Sequence, residues 1–565
     1  MWRIWTLFIC IVLFFSAIVL RLFYWQIIAG DSLRAQAAAQ YNLRLIIPAT
    51  RGTIADTDGS PFAMSQEAYL VYAQPKEIAD IPAFTRLVAP ILDHEEASIS
   101  AMLTIPGRVW VPLAHKVDRQ VVDELKKISL TGLGFEREAK RYYPEASMAA
   151  QLLGFVGADQ NGNDLGYFGL EGYYDRELKG RDGNIELEKD VQGSAILVGD
   201  TKRIEAEDGR SLRLWTDRTV QQIVEKRLTS GIQKYGAKEG SVVIMDPKTG
   251  GILSMASHPS YDPADFSAYD KSLYKNPIVA SSYEPGSTFK VLVMSAAINE
   301  KAVRGGTKMN EDGPVQVGEY TIRTWNNQYH GELTMTEVIQ YSSNVGMVFA
   351  ARKLGMDKFV RYLHDFGIGE ATGVDLQEES SPELRGDRQW REIDLATASF
   401  GQGIAVTPIQ MVRAVAAIAN GGALMEPHVV REIVDGRGLP AGKAGKTVEI
   451  KPKKVRQVIS AETAAVMTEM MVNAVDRGEA KWAKPPGYRI AGKTGTAQIP
   501  VAGHYDDKKT IASFVGFAPA DDPKFVMLVT LREPSSSPWG SETAAPIFFN
   551  IARDLFAYYS IPPTP

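Results

Sequence analysis

Glu284-Pro285-Gly286-Ser287-Thr288-Phe289-Lys290 reads as a turn opening into a buried helix. Pro-Gly makes the turn, Ser287 suits a helix N-cap, and Val291, Leu292, Val293, Met294 and Ala297 supply the apolar body behind it. Ser287 and Lys290 are three apart, so they share one face of the first turn. A serine hydroxyl is a weak nucleophile until a neighbouring base takes its proton. Lysine is that base only when neutral, and desolvation can lower its pKa by about 3, roughly 4 kcal/mol. A helix N-terminus also favours negative charge developing on the serine oxygen. The same spacing recurs at Ser272-Leu273-Tyr274-Lys275, and a plain capped helix explains either site, so this heptapeptide alone does not assign a nucleophile.

Two more stretches, further along the chain, carry compatible chemistry. Ser342-Ser343-Asn344 follows a capping box, Thr334 to Glu337, and a short helix ending near Tyr341. On a loop, side chains two apart point the same way: the Ser342 hydroxyl can relay a proton and the Asn344 amide can hold a peptide carbonyl. Taken alone, the tripeptide is also a polar turn between helices. Lys493-Thr494-Gly495-Thr496 lies on a strand-like run from Tyr488. Gly495 lets a ligand backbone approach, Lys493 and the threonine hydroxyls attract a carboxylate, and the Thr496 N–H can help hold an oxyanion. A second Lys-Thr-Gly, at Lys248-Thr249-Gly250, precedes the serine and belongs to a hairpin turn. The three pieces in this order form the S-x-x-K, S-x-N, K-T-G set.

Around them the pattern is that of one sheet closed by both ends of a segment. Gly240 to Met245 and Gly251 to Ala256 form a hairpin, and strands return at Tyr488 to Gln498, Thr510 to Ala518 and Lys524 to Leu531. Between them, Ser287 to Asn473 is largely helical, and an amphipathic helix closes the chain around Pro546 to Tyr558. This predicts an α/β (α+β) domain over 211–565. Residues 29–210 read as an irregular α+β region of short strands, a helix over Arg119 to Ile128 and frequent turns such as Gln160-Asn161-Gly162-Asn163. They contain no repeat of fixed period.

Residues 1–28 predict a membrane anchor. Ile4 to Leu20 carries no charge, Arg21 can snorkel, and Phe23, Tyr24 and Trp25 suit the headgroup belt. A cleaved signal peptide is the alternative; the aromatic cluster fits it poorly, and no small-x-small site directly follows the apolar run. An Ala-rich helix is expected over Asp31 to Asn42, leaving the membrane. Three residues before a long soluble region favour export of the body.

Composition excludes several classes. The 565 residues are 45% apolar and 23% charged, which is a globular balance. Lys plus Arg number 62 against 67 Asp plus Glu, so the basic excess of a nucleic-acid binder is missing. A single cysteine, Cys10, excludes disulfide scaffolds, thiolate zinc sites and iron–sulfur clusters. The seven histidines include no pair at helical ligand spacing, which argues against a metal enzyme.

With these motifs the chain resembles the class B penicillin-binding proteins over nearly its whole length. Arg51-Gly52-Thr53-Ile54-Ala55-Asp56 with Asp58-Gly59, Arg141-Tyr142-Tyr143-Pro144 with Leu153-Gly154, and Gly169-Leu170-Glu171-Gly172 are similar to the family's pedestal motifs, with Thr57 where a basic residue is common. Gly401-Gln402-Gly403 with Thr407-Pro408, and Ser513-Phe514-Val515-Gly516, resemble its later motifs. Asn344 with Val345-Gly346 is similar to the cell-division branch.

The resemblance implies a penicillin-binding transpeptidase domain, an antiparallel sheet packed with helices, over 211–565, on a non-catalytic pedestal of the dimerisation type over 29–210. It implies a serine acyltransferase that cross-links peptidoglycan stem peptides, with a D-Ala-D-Ala donor and an amine acceptor. By the same likeness Ser287 is the acylated nucleophile and Lys290 its base. Ser342 and Asn344 assist proton transfer and hold substrate. Lys493, Thr494, Gly495 and Thr496 bind the terminal carboxylate, and the backbone N–H groups of Ser287 and Thr496 form the oxyanion hole. No metal or cofactor enters. Partners would be stem peptides, β-lactams, and a membrane glycan polymerase with divisome proteins; the catalytic domain would lie outside the cytoplasmic membrane. Three alternatives remain in view. A D,D-carboxypeptidase differs only in using water as acceptor. A β-lactam-binding scaffold with a partner-binding pedestal would be inert. A class A β-lactamase needs an E-x-x-L-N run, and Glu392-Ile393-Asp394-Leu395-Ala396 lacks the Asn. A glycosyltransferase domain is disfavoured, since 30–210 has no E-D-x-x-F-x-x-H-x-G run.

Overall fold

The computed structural model describes residues 1–33, 42–188, 202–436, 445–501 and 504–563. They fall into two compact units, Met1–Thr50 with Gly180–Gly209, and Arg51–Lys179 with Arg210–Pro565.

In the first unit the apolar run is helical over Trp2–Phe23 and continues as a π-helical turn, Tyr24–Ile28. These 27 residues rise about 40 Å at 1.5 Å each, enough to cross a hydrocarbon core of about 30 Å. Among the described residues there is thus one apolar helix of single-pass length, at the N-terminus. The Arg21 guanidinium lies over the Trp25 ring at 5.2 Å, as a snorkelling cation beside an aromatic belt would. Of the Ala-rich helix expected beyond, over Asp31 to Asn42, residues 31–33 are helical, 34–41 lie outside the described ones, and Asn42 opens a strand instead. The unit's other described elements include an antiparallel sheet in the order Asn42–Ile47, Gly183–Glu188, Lys202–Ile204.

The second unit is built on two sheets. One runs Lys446–Glu449, Val430–Asp435, Ser211–Leu214, Ile54–Ala55, Pro61–Ala73, Val111–Asp118, with Leu133–Tyr142 also paired to Pro61–Ala73. Ser211–Leu214 pairs parallel with Ile54–Ala55 and antiparallel with Val430–Asp435, so a cut at residue 210 passes along a strand inside a shared sheet. The apolar core is shared as well: Ile54, Phe62, Leu152, Leu170 and Leu178 pack in one cluster with Leu212, Phe289 and Val291. Here the three pedestal motifs meet. Glu171, fully buried, accepts from Arg51 Nε at 2.6 Å and from Arg141 Nε at 2.7 Å, and Arg141 Nη1 donates to the Gly52 carbonyl at 2.7 Å. A separate apolar cluster, including Val71, Phe84, Val88, Ile99, Val122 and Leu125, holds the outer pedestal together.

The other sheet is fully antiparallel. Its strands are β1 (Glu239–Met245), β2 (Ile252–His258), β3 (Ala491–Val501), β4 (His504–Ala518) and β5 (Phe525–Arg532), in the order β2-β1-β5-β4-β3. Side chains alternate between faces with the period of a strand. Val242, Ile244, Phe514, Met527 and Val529 meet helices α1 (Arg218–Tyr235) and, at the end of the chain, Ala544–Tyr558. Val243, Met245, Val515, Val526 and Leu528 meet the helical body on the other face. That body includes α2 (Lys290–Asn299), α3 (Met335–Gln340), α4 (Asn344–Leu354) and α5 (Pro408–Ala419). The predicted strands, hairpin and closing helix lie where the sequence pattern puts them, to within a few residues, except that β4 starts at His504, six residues before the expected Thr510. The helical segment also carries small two-stranded ribbons, such as Lys308–Glu311 with Gly331–Thr334. Their strands are too short to produce a legible alternation.

Candidate active site

Ser287 does not cap a helix as expected. It lies inside a 3-10 turn, Gly286–Phe289, whose cap position is Pro285, and α2 follows from Lys290. The Thr288 hydroxyl, not that of Ser287, bonds back to the Pro285 carbonyl at 2.7 Å. The turn is braced from outside. Gly286 N–H donates to the Gly401 carbonyl at 3.0 Å, and Gly403 N–H to the Glu284 carboxylate at 3.1 Å. Gly286, at φ +55°, and Gly401, at φ +81°, both use the left-handed region open to glycine.

Lys290 is fully buried, one turn beyond Ser287. Its Nζ lies 2.5 Å from the Ser342 carbonyl oxygen, 3.2 Å from Ser342 Oγ and 2.8 Å from Asn344 Oδ1. Ser342 sits between α3 and α4 at φ +58°, and Asn344 is the first residue of α4 rather than part of a longer loop. The Asn344 amide nitrogen donates to the Arg323 carbonyl at 3.0 Å, which fixes its oxygen towards Lys290. Burial holds the Lys290 amine well below the usual lysine range, and the charge of Lys493 pushes it the same way.

Lys493, Thr494, Gly495 and Thr496 lie on β3, alongside the Ser287 turn. A Cβ on Gly495 would come within 2.7 Å of Thr288 Cγ2, and one on Gly286 within 2.9 Å of the Thr496 carbonyl oxygen. Lys493 Nζ is 3.1 Å from Thr494 Oγ1. Burial lowers its pKa to about 8 against the attraction of Glu479. Gly540 N–H donates to Thr496 Oγ1 at 3.0 Å.

All three motifs therefore converge. The decoys do not. Ser272 donates its hydroxyl to Asp270 at 2.6 Å on an exposed turn, and Lys275 is exposed. Lys248 pairs with Asp522 at the hairpin. Glu392, the carboxylate of the near-match to a β-lactamase motif, pairs instead with Arg352 at 2.6 Å. Sequence reasoning missed Glu479, whose carboxylate acts on both lysines, and the group behind Ser343, formed by Glu311 and His330. No motif marks these residues, and only folding brings them to the site.

The family model for the penicillin binding protein transpeptidase domain matches residues 240–553, and that for the penicillin-binding protein dimerisation domain residues 46–214. The chain belongs to the class B penicillin-binding proteins, the transpeptidases carried on such a domain. Among its relatives, Stage V sporulation protein D of Bacillus subtilis is 35% identical over 98% of this chain and 85% of that protein. Peptidoglycan D,D-transpeptidase FtsI of Escherichia coli is 30% identical over 100% of this chain and 92% of that protein. The crystal structure of penicillin binding protein 3 from Mycobacterium tuberculosis complexed with aztreonam is 28% identical, with a TM-score of 0.71, covering 92% of this chain and 98% of that one.

Proposed function

We propose that the protein is a serine-type peptidoglycan D,D-transpeptidase of septal wall synthesis, acylated at Ser287 by stem peptides and by β-lactams. One observation carries the reading: a fully buried Lys290 amine, held by Ser342 and Asn344 one turn from Ser287. A neutral amine has two hydrogens, enough for the Ser342 carbonyl and Asn344 Oδ1. The Ser342 hydroxyl then meets its lone pair and can relay a proton.

The Ser287 proton passes to Lys290 through the Ser342 hydroxyl as Oγ attacks the penultimate D-Ala carbonyl. The N–H groups of Ser287 and Thr496 take the oxyanion. The C–N bond breaks and the terminal D-Ala leaves with the proton Lys290 took; an amine of a second stem then attacks the acyl carbonyl, the ester C–O bond breaks, and the amine's proton returns by way of Lys290 to Ser287 Oγ. Charged Lys493, with Thr494 and Thr496 beside the gap at Gly495, holds the donor's terminal carboxylate. The Trp2–Ile28 helix anchors the chain in the cytoplasmic membrane with the body outside, and residues 29–210 serve as a pedestal that binds a glycan polymerase and divisome partners. The septal assignment rests on Asn344-Val345-Gly346 and on the likeness to FtsI.

Incubating the exported part with a fluorescent penicillin tests the assignment. Wild type and Ser272→Ala should label and Ser287→Ala should not; undiminished label on Ser287→Ala would overturn it.

A further inference from the structure

Ser342 is a non-glycine residue at φ +58°, a conformation that L side chains rarely adopt, and its carbonyl and hydroxyl both face Lys290. Something must hold it there, and both of its neighbours are tied to one carboxylate. On one side, Ser343 Oγ accepts from Gly346 N–H at 2.8 Å, capping α4, and donates its own hydrogen to Glu311 Oε1. On the other, the Tyr341 ring stacks on His330, with centroids 4.4 Å apart and planes at 10°. His330 Nδ1 lies 3.0 Å from Glu311 Oε2, and since a carboxylate only accepts, the proton sits on that nitrogen. Glu311 is fully buried at the end of its strand, paired with Gly331, which places His330 beside it. The ribbon Lys308–Glu311 with Gly331–Thr334 thus brings a buried acid and its histidine to the back of the Ser342 turn. No step of the acylation uses either group.

We propose that Glu311, backed by His330, is a positioning residue: it clamps Tyr341 and Ser343, and so fixes the Ser342 carbonyl and the Asn344 amide on the Lys290 amine. This rests on the transpeptidase reading. Glu311 reaches the chemistry in two ways, through the Ser343 hydroxyl and through its negative charge. The other charged groups acting on Lys290 are Lys493 and Glu479. The two routes make separable predictions.

The test is the second-order rate of acylation by fluorescent penicillin across pH, on the exported protein, with melting temperature recorded for each variant. Ser343→Ala removes the clamp and keeps the charge. Its rate should fall about tenfold, the scale on which a lost orienting partner acts, with the acid limb of the profile unmoved. Glu311→Ala removes both, so the rate falls similarly and the acid limb moves to lower pH, because Lys290 gives up its proton more readily. The double variant should be no slower than the slower single one, since both break the same bond. Glu311→Gln keeps an acceptor for Ser343 but no charge; its plateau rate should stay within about twofold while the limb still moves. Wild-type rates in Ser343→Ala and Glu311→Ala, or losses that multiply in the double variant, would overturn the proposal. Label surviving on Ser287→Ala would instead overturn the transpeptidase reading, whatever the Glu311 series does.

Discussion

Two lysines share one buried site, and the proposed reaction needs them in opposite states. In that reaction Lys290 works neutral and Lys493 works charged. Burial lowers both, and the charge on Lys493 lowers Lys290 further, so Lys290 loses its proton first. Acylation should therefore rise with pH as Lys290 deprotonates and fall again through about 8 as Lys493 does, giving a bell in the second-order rate. Glu479 opposes the fall by attraction. Glu479→Gln should move the alkaline limb to lower pH, measured as the rate of penicillin acylation; a limb that stays put would remove Glu479 from the site's electrostatics. At this scale the sequence named Ser287, Lys290, Ser342, Asn344 and Lys493 because their spacing is local and their chemistry is fixed by residue type. It missed Glu311, His330 and Glu479, whose effect depends on position in space.

At the scale of elements, the site depends on how closely β3 lies to the Ser287 turn and to the segment leading into the last helix. Gly540 shows the tolerance: a Cβ there would overlap the carbonyl oxygens of Gly495 and Ser513. Gly540→Ala should therefore displace Thr496 and cost about 1–3 kcal/mol, as overpacking does. The expected result is a lower melting temperature and at least a tenfold slower acylation; unchanged acylation would show that Thr496 tolerates displacement. Some elements were legible whole. The helix over Arg119–Ile128 has the predicted bounds, since its apolar period and turn residues are local. The Ser287 cap was not, because Pro285-Gly286 starts a 3-10 turn one step earlier and Gly401 fixes that turn from a distant segment.

At the scale of the whole molecule, residues 51–179 and 210–565 share one mixed sheet and one apolar core. Glu171 joins Arg51 and Arg141 with no exposure to water, so Glu171→Ala strands the buried Arg141 guanidinium and leaves Arg51 with Asp175 alone. Breaking a buried pair from one side costs about 3–5 kcal/mol, and thermal unfolding should register it as a fall of several degrees. Residues 211–565 expressed alone should be less stable than residues 46–565, because Ser211–Leu214 loses its partner Ile54–Ala55 and the core loses Ile54, Phe62, Leu152 and Leu170. Equal melting temperatures would contradict this. The amino-acid order by itself determined the apolar N-terminal helix, the antiparallel strands and the reactive residue types, because hydropathy period, turn chemistry and short spacing act between near neighbours. Tertiary structure alone decided that a strand at the expected boundary serves both sides of it, that Lys290 is stripped of water, and that Glu311 stands behind Ser343. Each of these depends on segments brought together from far apart in the chain, and burial is a property of the space they enclose.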